Sequence, residues 1–370
     1  MKKKILMIGP FPEPITGMSL ANKMLYDGLK KNYNVQIVDT DTEKKINSAK
    51  SQGKFNLKKV INSFKPILLG INKILFSNFD VIYITPAQSY LGFMKYSLFI
   101  KISKRMKIPC YIHFHGGFVK KMYDSLNSKR KNRIKKLFNE TSGVIVLGES
   151  LVYMLDEIVP KEKVYVCENG IESEFLIKEE ELEEKLRKKN EYINILYLSN
   201  LMKTKGIIEL LDAALIMKQE NIKFILNIAG VIEKEIENEV KNKINLLGEN
   251  IKYHGIVKGK EKKELLKKAN IFCLPTYYPN EGQPISILEA MGNGIAIVTT
   301  YQGGIIDIFK DRLNGIRCNE RDEVSIKNAI VEAYDKYNEF SIENYKKCKE
   351  NYISGKFVER IEKIIFSKEK

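Results

Sequence analysis

The chain has 370 residues, 44% of them hydrophobic, which is enough for two α/β domains and excludes a wholly disordered protein. Five cysteines without a CxxC pair and three histidines argue against a disulfide framework and a histidine-rich metal centre. The net charge is +16, yet residues 44–136 alone carry 21 Lys and Arg against two acids, so the first half predicts an anionic partner.

The chain opens with a short strand and a turn that could hold phosphate. Residues 4–9 read as a buried strand, because the apolar run after the initial lysines is too short for a signal peptide. A loop rich in proline ends at Gly17, and residues 18–30 have helical periodicity. A loop that leads from a strand to the N-terminus of a helix favours the binding of an anion. The alternative is an ordinary βα turn without a ligand. The loop lacks GxGxxG, which disfavours a Rossmann dinucleotide site.

Further strands are predicted at residues 35–38, 81–84, 111–114, 144–147 and 164–167, each followed by a helical or loop segment. This alternation predicts a doubly wound parallel sheet. His113 and His115 end the third of these strands, where such sheets place their ligands. We interpret His113 as a packed structural residue and His115 as a candidate site residue.

Three segments combine basic and apolar residues. Residues 44–75 contain eight lysines, residues 92–109 five basic residues and residues 120–136 eight, and the first two contain no acid. In the second, Leu98, Phe99, Ile102 and Met106 are predicted to form one apolar stripe. The pattern suits a helix with a solvated basic edge or one lying on an anionic membrane, and its repetition favours the membrane.

A second series of alternating strands and helices is predicted after an acidic stretch. Residues 172–192 are predicted to be a linker, and residues 193–198 to be the first strand of a second domain. A helix is expected over residues 207–218. Strands should follow at residues 224–230, 251–255, 271–274 and 296–300, and a final helix over residues 340–365.

The stretch 274–294 carries the chemistry. A strand ends at Leu274, Pro284 is predicted at the first position of a helix, and Glu281 and Glu289 stand with seven residues between them. A turn leading to a helix N-terminus favours phosphate, and nearby carboxylates accept hydrogen bonds from sugar hydroxyls. The alternative is a surface helix with two ordinary glutamates.

The order of residues 281–291, EGQPISILEAM, resembles the E-x7-E signature of the retaining, GT-B-fold nucleotide-sugar glycosyltransferases of family 4. The motif of this family is usually E-G-F-G-x-x-x-x-E-A-M, so Gln283 and Pro284 replace its Phe-Gly pair, while both glutamates remain. The resemblance implies that Glu281 lies near the donor sugar and that Glu289 accepts from the ribose hydroxyls. It also implies that Gln283, Pro284 and Ile285 line the donor site.

Residues 199–206 resemble the family's G-R-x-x-x-x-K-G loop, whose Arg and Lys clasp the diphosphate. Lys205 matches the Lys, but Asn200 stands in the Arg position and contributes no charge. Binding of the diphosphate by this loop is therefore weaker than in the family, or Lys203 supplies the missing charge. The alternative for Lys205 is an ordinary lysine on the protein surface. By the same resemblance, Gly17 belongs to the glycine loop that faces the diphosphate and acceptor, and His115 contacts the reacting sugar or the acceptor.

The resemblance implies an α/β GT-B fold of two Rossmann-like, doubly wound domains that face each other across a cleft. The expected boundaries are an acceptor-side domain at 1–171, a linker at 172–192 and a donor domain at 193–345. A C-terminal helix at 346–370 is expected to cross back to the first domain.

The function implied is a retaining glycosyltransferase of the hexosyltransferase class that uses a UDP- or GDP-sugar and needs no metal or other cofactor. Its catalytic residues would be His115, Glu281 and Lys205. Together with the basic first half, the resemblance predicts a lipid-linked glycan acceptor in bacterial surface polysaccharide synthesis, and a cytoplasmic enzyme peripheral to the inner membrane face. Three alternatives remain: a GT-B epimerase, a polyanion- or nucleic-acid-binding protein, and a non-catalytic partner subunit. Nucleic acid is not expected as a partner.

Overall fold

A computed structural model describes residues 2–40, 57–188 and 191–367. The chain divides into two compact units. The first comprises Met1–Asn169 together with Ser354–Lys370, and the second comprises Gly170–Ile353.

The first unit is built on a parallel sheet whose strands alternate with helices. Its described strands are β1 (Lys4–Gly9), β2 (Asn34–Asp39), β3 (Val81–Ile84), β4 (Cys110–His113), β5 (Gly143–Val146) and β6 (Val164–Val166). Its described helices before residue 169 are α1 (Gly17–Leu29), α2 (Leu57–Phe76), α3 (Tyr90–Met94), α4 (Ser97–Arg105), α5 (Val119–Asp124) and α6 (Ser128–Asn139). The strand order is β2-β1-β3-β4-β5-β6. Strands β3, β4 and β5 are buried at every position, as expected for a parallel sheet covered on both faces.

The second unit repeats this plan. Its described strands are β7 (Ile193–Leu198), β8 (Phe224–Ala229), β9 (Ile251–Tyr253), β10 (Ile271–Leu274), β11 (Ala296–Thr299) and β12 (Gly315–Arg317). Its described helices are α7 (Glu179–Arg187), α8 (Ile207–Gln219), α9 (Glu237–Leu247), α10 (Gly259–Lys268), α11 (Ile285–Gly292), α12 (Ile305–Ile308), α13 (Glu323–Asp335) and α14 (Tyr337–Asn351). The strand order is β12-β11-β10-β7-β8-β9. Counted from β7, this is the 3-2-1-4-5-6 order of doubly wound nucleotide-binding sheets, which reverses between β7 and β10.

The predicted linker contains helix α7. Three glutamates occupy its first turn, where the helix dipole favours negative charge. Leu182 is buried and packs with Ile177 and Tyr345 of the second unit. A single well-buried leucine gives too weak a periodicity to reveal this helix from the sequence.

The C-terminal segment is two helices rather than the one predicted. After α14 the chain is interrupted at Tyr352 and Ile353, where Ile171 pairs with Ile353 as an isolated bridge. The chain then forms α15 (Ser354–Ile365), which belongs to the first unit and packs on α1. The boundary between units in this segment therefore lies at residue 354 instead of 346. No helix in the described ranges has both the length and the apolar content needed to cross a bilayer.

Candidate functional site

The loops that follow β7 and β10 bring a lysine and a glutamate together. These strands are neighbours at the point where the strand order reverses, the usual ligand position in open α/β sheets. Lys205 lies in the short turn Lys203–Lys205 after β7. Its Nζ donates to Glu281 Oε2 at 2.6 Å, and the two side chains are only 14% and 7% exposed. The sequence nominated both residues separately, and the structure joins them in one ion pair.

Two glycines allow the loops to approach this closely. Gly206 has a φ of +74°, and a Cβ there would lie 2.2 Å from the carbonyl oxygen of Pro275. Gly303 has a φ of +56°, and a Cβ there would lie 2.2 Å from the carbonyl oxygen of Glu281. Both positions therefore require glycine on backbone conformation as well as space.

Thr276 and Tyr278 complete the surroundings of the ion pair. The buried Thr276 hydroxyl donates to Glu281 Oε2 at 3.0 Å, and Lys205 Nζ lies 5.0 Å from the centroid of the Tyr278 ring. Among the described residues, no hydrogen bond reaches Glu281 Oε1. Glu281 can therefore stay paired through one oxygen while the other accepts from a ligand. Sequence reasoning missed Thr276 and Tyr278, whose only signal is their place directly after β10.

Helix α11 begins four residues after Glu281. Pro284 is its N-cap, with a ψ of 117°, so the helix starts at Ile285 and not at the proline as predicted. The prediction was wrong by one position because Pro284 has a helical φ but an extended ψ. Gln283 and Ile285 are 4% and 8% exposed, which places these two predicted donor-site residues at the buried start of the helix.

Glu289 lies inside α11 and is almost completely buried, at 3% exposure. Lys262 of α10 donates from Nζ to Glu289 Oε1 at 2.6 Å. Burial raises the pKa of the Glu289 carboxyl, and the charge and hydrogen bond of Lys262 oppose that rise. Lys262 was not identified from the sequence, since a lysine in a lysine-rich helix gives no signal.

The position expected to carry arginine is exposed. Asn200 lies on the surface after β7, and its carbonyl oxygen accepts from the Tyr197 hydroxyl at 3.0 Å. Lys203 is also exposed, with its backbone N–H donating to Glu233. Of the lysines in this turn, Lys205 is the one that forms the ion pair with Glu281.

In the first unit, His113 and His115 lie ring against ring, 4.2 Å between centroids. His113 is fully buried, and its Nδ1 is 2.6 Å from the Tyr83 hydroxyl. Burial lowers the pKa of His115 to about 4, partly opposed by the side chain of Asn169. His115 is therefore a neutral imidazole near pH 7. Gly17, the remaining predicted residue of this unit, is the exposed first residue of α1.

The turn before α1 is closed by its own side chains. Thr16 accepts from the Ser19 N–H and Ser19 accepts from the Thr16 N–H, forming a capping box. A Cβ at Gly17 would meet nothing within 4 Å, so packing does not explain this glycine. Two of the backbone donors expected to hold phosphate are already satisfied at this helix end.

Comparison with known proteins connects this architecture to sugar transfer. Residues 178–354 match the model of the family Glycosyl transferases group 1. The chain is 25% identical over 295 residues to an uncharacterized glycosyltransferase of Methanocaldococcus jannaschii, covering 75% of this chain and 72% of that protein. It is also 25% identical over 276 residues to the Escherichia coli UDP-Gal:alpha-D-GlcNAc-diphosphoundecaprenol alpha-1,3-galactosyltransferase, covering 70% and 68%.

The fold is shared with proteins whose structures have been solved. HepE of Anabaena, in complex with UDP and glucose, superposes with a TM-score of 0.71 at 16% identity. The match covers 99% of this chain and all of that one. The predicted GT-B fold with two doubly wound α/β units is thereby confirmed.

Proposed function

We propose that this chain, a glycosyltransferase with the GT-B fold, transfers a hexose from a nucleotide sugar to an acceptor hydroxyl with retention at the anomeric carbon. The observation that carries the proposal is the ion pair between Lys205 and the buried Glu281, which lies four residues before α11 begins. A cation and a helix N-terminus favour a diphosphate, and the carboxylate next to them accepts from sugar hydroxyls.

The proposed reaction is a same-face displacement. The bond between the anomeric carbon and the donor phosphate oxygen breaks, and a bond from the acceptor oxygen forms on the same face. The acceptor proton goes to the departing phosphate. Lys205 and the α11 N-terminus stabilise the charge that develops on the leaving diphosphate, while Glu281 orients the sugar. Retention is supported by the resemblance of residues 281–291 to the E-x7-E signature.

The other predicted site residues keep their roles within this proposal. Glu289 accepts from the ribose, and Gln283, Pro284 and Ile285 line the donor site. Asn200 and Gly17 approach the diphosphate. His115 contacts the sugar or the acceptor as a neutral hydrogen-bond partner, because its pKa of about 4 leaves it unprotonated near neutral pH.

The proposed donor is a UDP- or GDP-sugar, bound without a metal ion. UDP is supported by the structure of HepE with UDP and by the UDP-Gal in the name of the Escherichia coli relative. That relative's name also gives a diphosphoundecaprenol-linked sugar as its acceptor, which supports a lipid-linked glycan here. A role in bacterial surface polysaccharide synthesis at the inner membrane face follows from these proposals.

The first unit has a surface suited to an anionic membrane, which we propose as a partner. Phe99 of α4 is buried, whereas Leu98 of α4 and Met106, the residue after this helix, are 48% and 44% exposed, so the predicted single apolar stripe is wrong. Leu98 and Met106 lie beside the exposed Lys101 and Lys104.

Leu68 and Leu69 of α2 and Leu91 of α3 are also exposed, at 62%, 51% and 75%. Exposed leucines among lysines match the composition of a peripheral membrane surface. Residues 44–56 of the first basic segment lie outside the described residues.

Donor binding is tested by thermal shift with UDP, GDP, ADP and their sugar conjugates, with EDTA present. We expect selective stabilisation by one nucleotide, because a ligand of the native state raises the melting temperature by mass action. Asn200→Arg should increase the shift, since it adds the missing phosphate-binding charge. If no nucleotide stabilised either protein, the donor site would be wrong and the partner-subunit alternative would be favoured.

Membrane binding is tested by flotation with liposomes of neutral lipid, with and without anionic lipid. We expect binding only when anionic lipid is present. Lys101→Glu/Lys104→Glu should weaken it at least about tenfold, because each basic residue near such a surface contributes about 1 kcal/mol. Lys260→Glu/Lys268→Glu on α10 is the matched control. Equal flotation on neutral and anionic vesicles would contradict the proposal, and salt-sensitive binding to nucleic acid instead would favour the polyanion-binding alternative.

A further inference from the structure

Lys262 is enclosed with Glu289 in the second unit. The ammonium donates to Glu289 Oε1 at 2.6 Å, and the side chains are 14% and 4% exposed. The same Nζ lies 4.4 Å from the centroid of the Phe175 ring. The charge-assisted hydrogen bond to the carboxylate and the cation–π contact with the ring both hold the ammonium in this position.

The other groups around Glu289 do not supply a positive charge. Glu172 acts on it with a like charge and raises its pKa further. On α14, Cys348 donates from its thiol to the carbonyl oxygen of Leu288, and burial raises the pKa of that thiol, which keeps it neutral. Asn293 donates to the carbonyl oxygen of Glu289 and not to its carboxylate. Of the described groups acting on this carboxyl, Lys262 is the one that favours its charged form.

We propose that Lys262 is a positioning residue of the donor site, which holds Glu289 as an oriented carboxylate with Oε2 left to accept from the ribose hydroxyls. Among the described residues, no hydrogen bond reaches Oε2, so the lysine and a ribose can use different oxygens. The inference rests on the ribose-binding role proposed for Glu289. It adds Lys262 of α10, which lies 27 positions before Glu289 in the chain, to a site otherwise built in this unit from α11 and the loops after β7 and β10.

The charge of Glu289 matters because a carboxylate is the stronger acceptor. Hydrogen bonds to an ionised acceptor contribute roughly twice as much as those to a neutral one. Without Lys262, desolvation and Glu172 would both push the carboxyl towards its protonated form. The loss of nucleotide binding should then depend on pH, which a purely structural role of the lysine would not produce.

The test uses the full chain and measures UDP and GDP binding by calorimetry from pH 6 to pH 9. Lys262→Met should weaken binding of the preferred nucleotide about tenfold at pH 6. The defect should shrink towards pH 9, because a raised Glu289 pKa leaves the carboxylate only at high pH. Lys260→Met, an exposed lysine in the first turn of the same helix, should bind as the wild type does at every pH.

The variants separate failure of this inference from failure of the proposed function. Weaker binding in Glu289→Gln with unchanged binding in Lys262→Met would overturn the inference alone. Unchanged binding in Glu289→Gln, or none in the wild type, would overturn the ribose role and the inference with it. A defect in Lys262→Met of equal size at pH 6 and pH 9 would also overturn it.

Two further measurements test the inference if Lys262→Met folds poorly. One needs no nucleotide, and the other uses a variant that keeps the positive charge. Infrared spectroscopy should show a protonated-carboxyl band in Lys262→Met that disappears in Lys262→Met/Glu289→Gln, and absence of the band would overturn the inference. If Lys262→Met does not fold, Lys262→Arg should keep nucleotide binding within about threefold of wild type, since the charge remains. A loss as large as that of Glu289→Gln would overturn the inference.

Discussion

Glu281→Gln should lower kcat at least about 10²-fold while the second unit stays folded. The amide keeps the shape of the side chain and can still accept from Thr276 and Lys205, whose bonds to Oε2 are 3.0 and 2.6 Å long. It loses the charge that we propose orients the donor sugar during transfer. Turnover is measured as formation of the glycosidic product from the nucleotide sugar that binds best, which also distinguishes a transferase from an epimerase.

Binding of the nucleotide without its sugar separates two roles for Glu281. We expect the UDP or GDP affinity of Glu281→Gln to be equal to or higher than that of wild type, because the ammonium of Lys205 no longer shares its charge with a carboxylate. Glu220→Gln is the matched control, since Glu220 pairs with Lys327 at 3.1 Å in the same unit, away from the site. Wild-type turnover in Glu281→Gln would refute its catalytic role.

Lys205→Met should lower kcat by about 10²–10³-fold, the usual effect of removing one donor that stabilises developing negative charge. It should also weaken nucleotide binding, which Glu281→Gln should not. Lys203→Met is the matched control, because Lys203 is exposed in the same turn and makes no ion pair with Glu281. If Lys203→Met lost as much activity as Lys205→Met, the diphosphate would be held by the whole turn and the specific role of Lys205 would be wrong.

Stability must be separated from catalysis in this variant. Removing Lys205 leaves the buried Glu281 without its counter-ion, and such a loss costs of order 3 kcal/mol. Lys205→Met/Glu281→Gln removes both charges and should recover most of the unfolding free energy measured with denaturant. Its activity should stay at least about 10²-fold below wild type. Recovery of activity along with stability would show that the single variants were inactive only because they were unfolded.

The strands of both sheets could be predicted because their signals are local, except for β12, whose three residues are too few to be recognised as a strand. Each predicted strand of the first and second sheets corresponds to an observed one within a residue or two, since a buried parallel strand reads as a continuous apolar run. Helix α7 was missed because Leu182 is its only well-buried residue. The break at residues 352–353 was missed because it depends on pairing with Ile171, a contact across 182 positions of sequence.

The sequence alone determined the two α/β units, the excess of positive charge in the first half, and the spacing of Glu281 and Glu289 around a helix start. It could nominate Lys205 and Glu281 separately but not their pairing, because the two residues lie 76 positions apart in the chain. That contact exists because strand order places β7 beside β10, and strand order depends on long-range packing that no local pattern encodes. The pairing of Lys262 with Glu289, and the exposure of Leu98 beside the buried Phe99, were decided in the same way. In each case the physical reason is the same. Whether a side chain is buried, and which charge it pairs with, depends on which strands and helices pack together, and the residue types alone do not specify that packing.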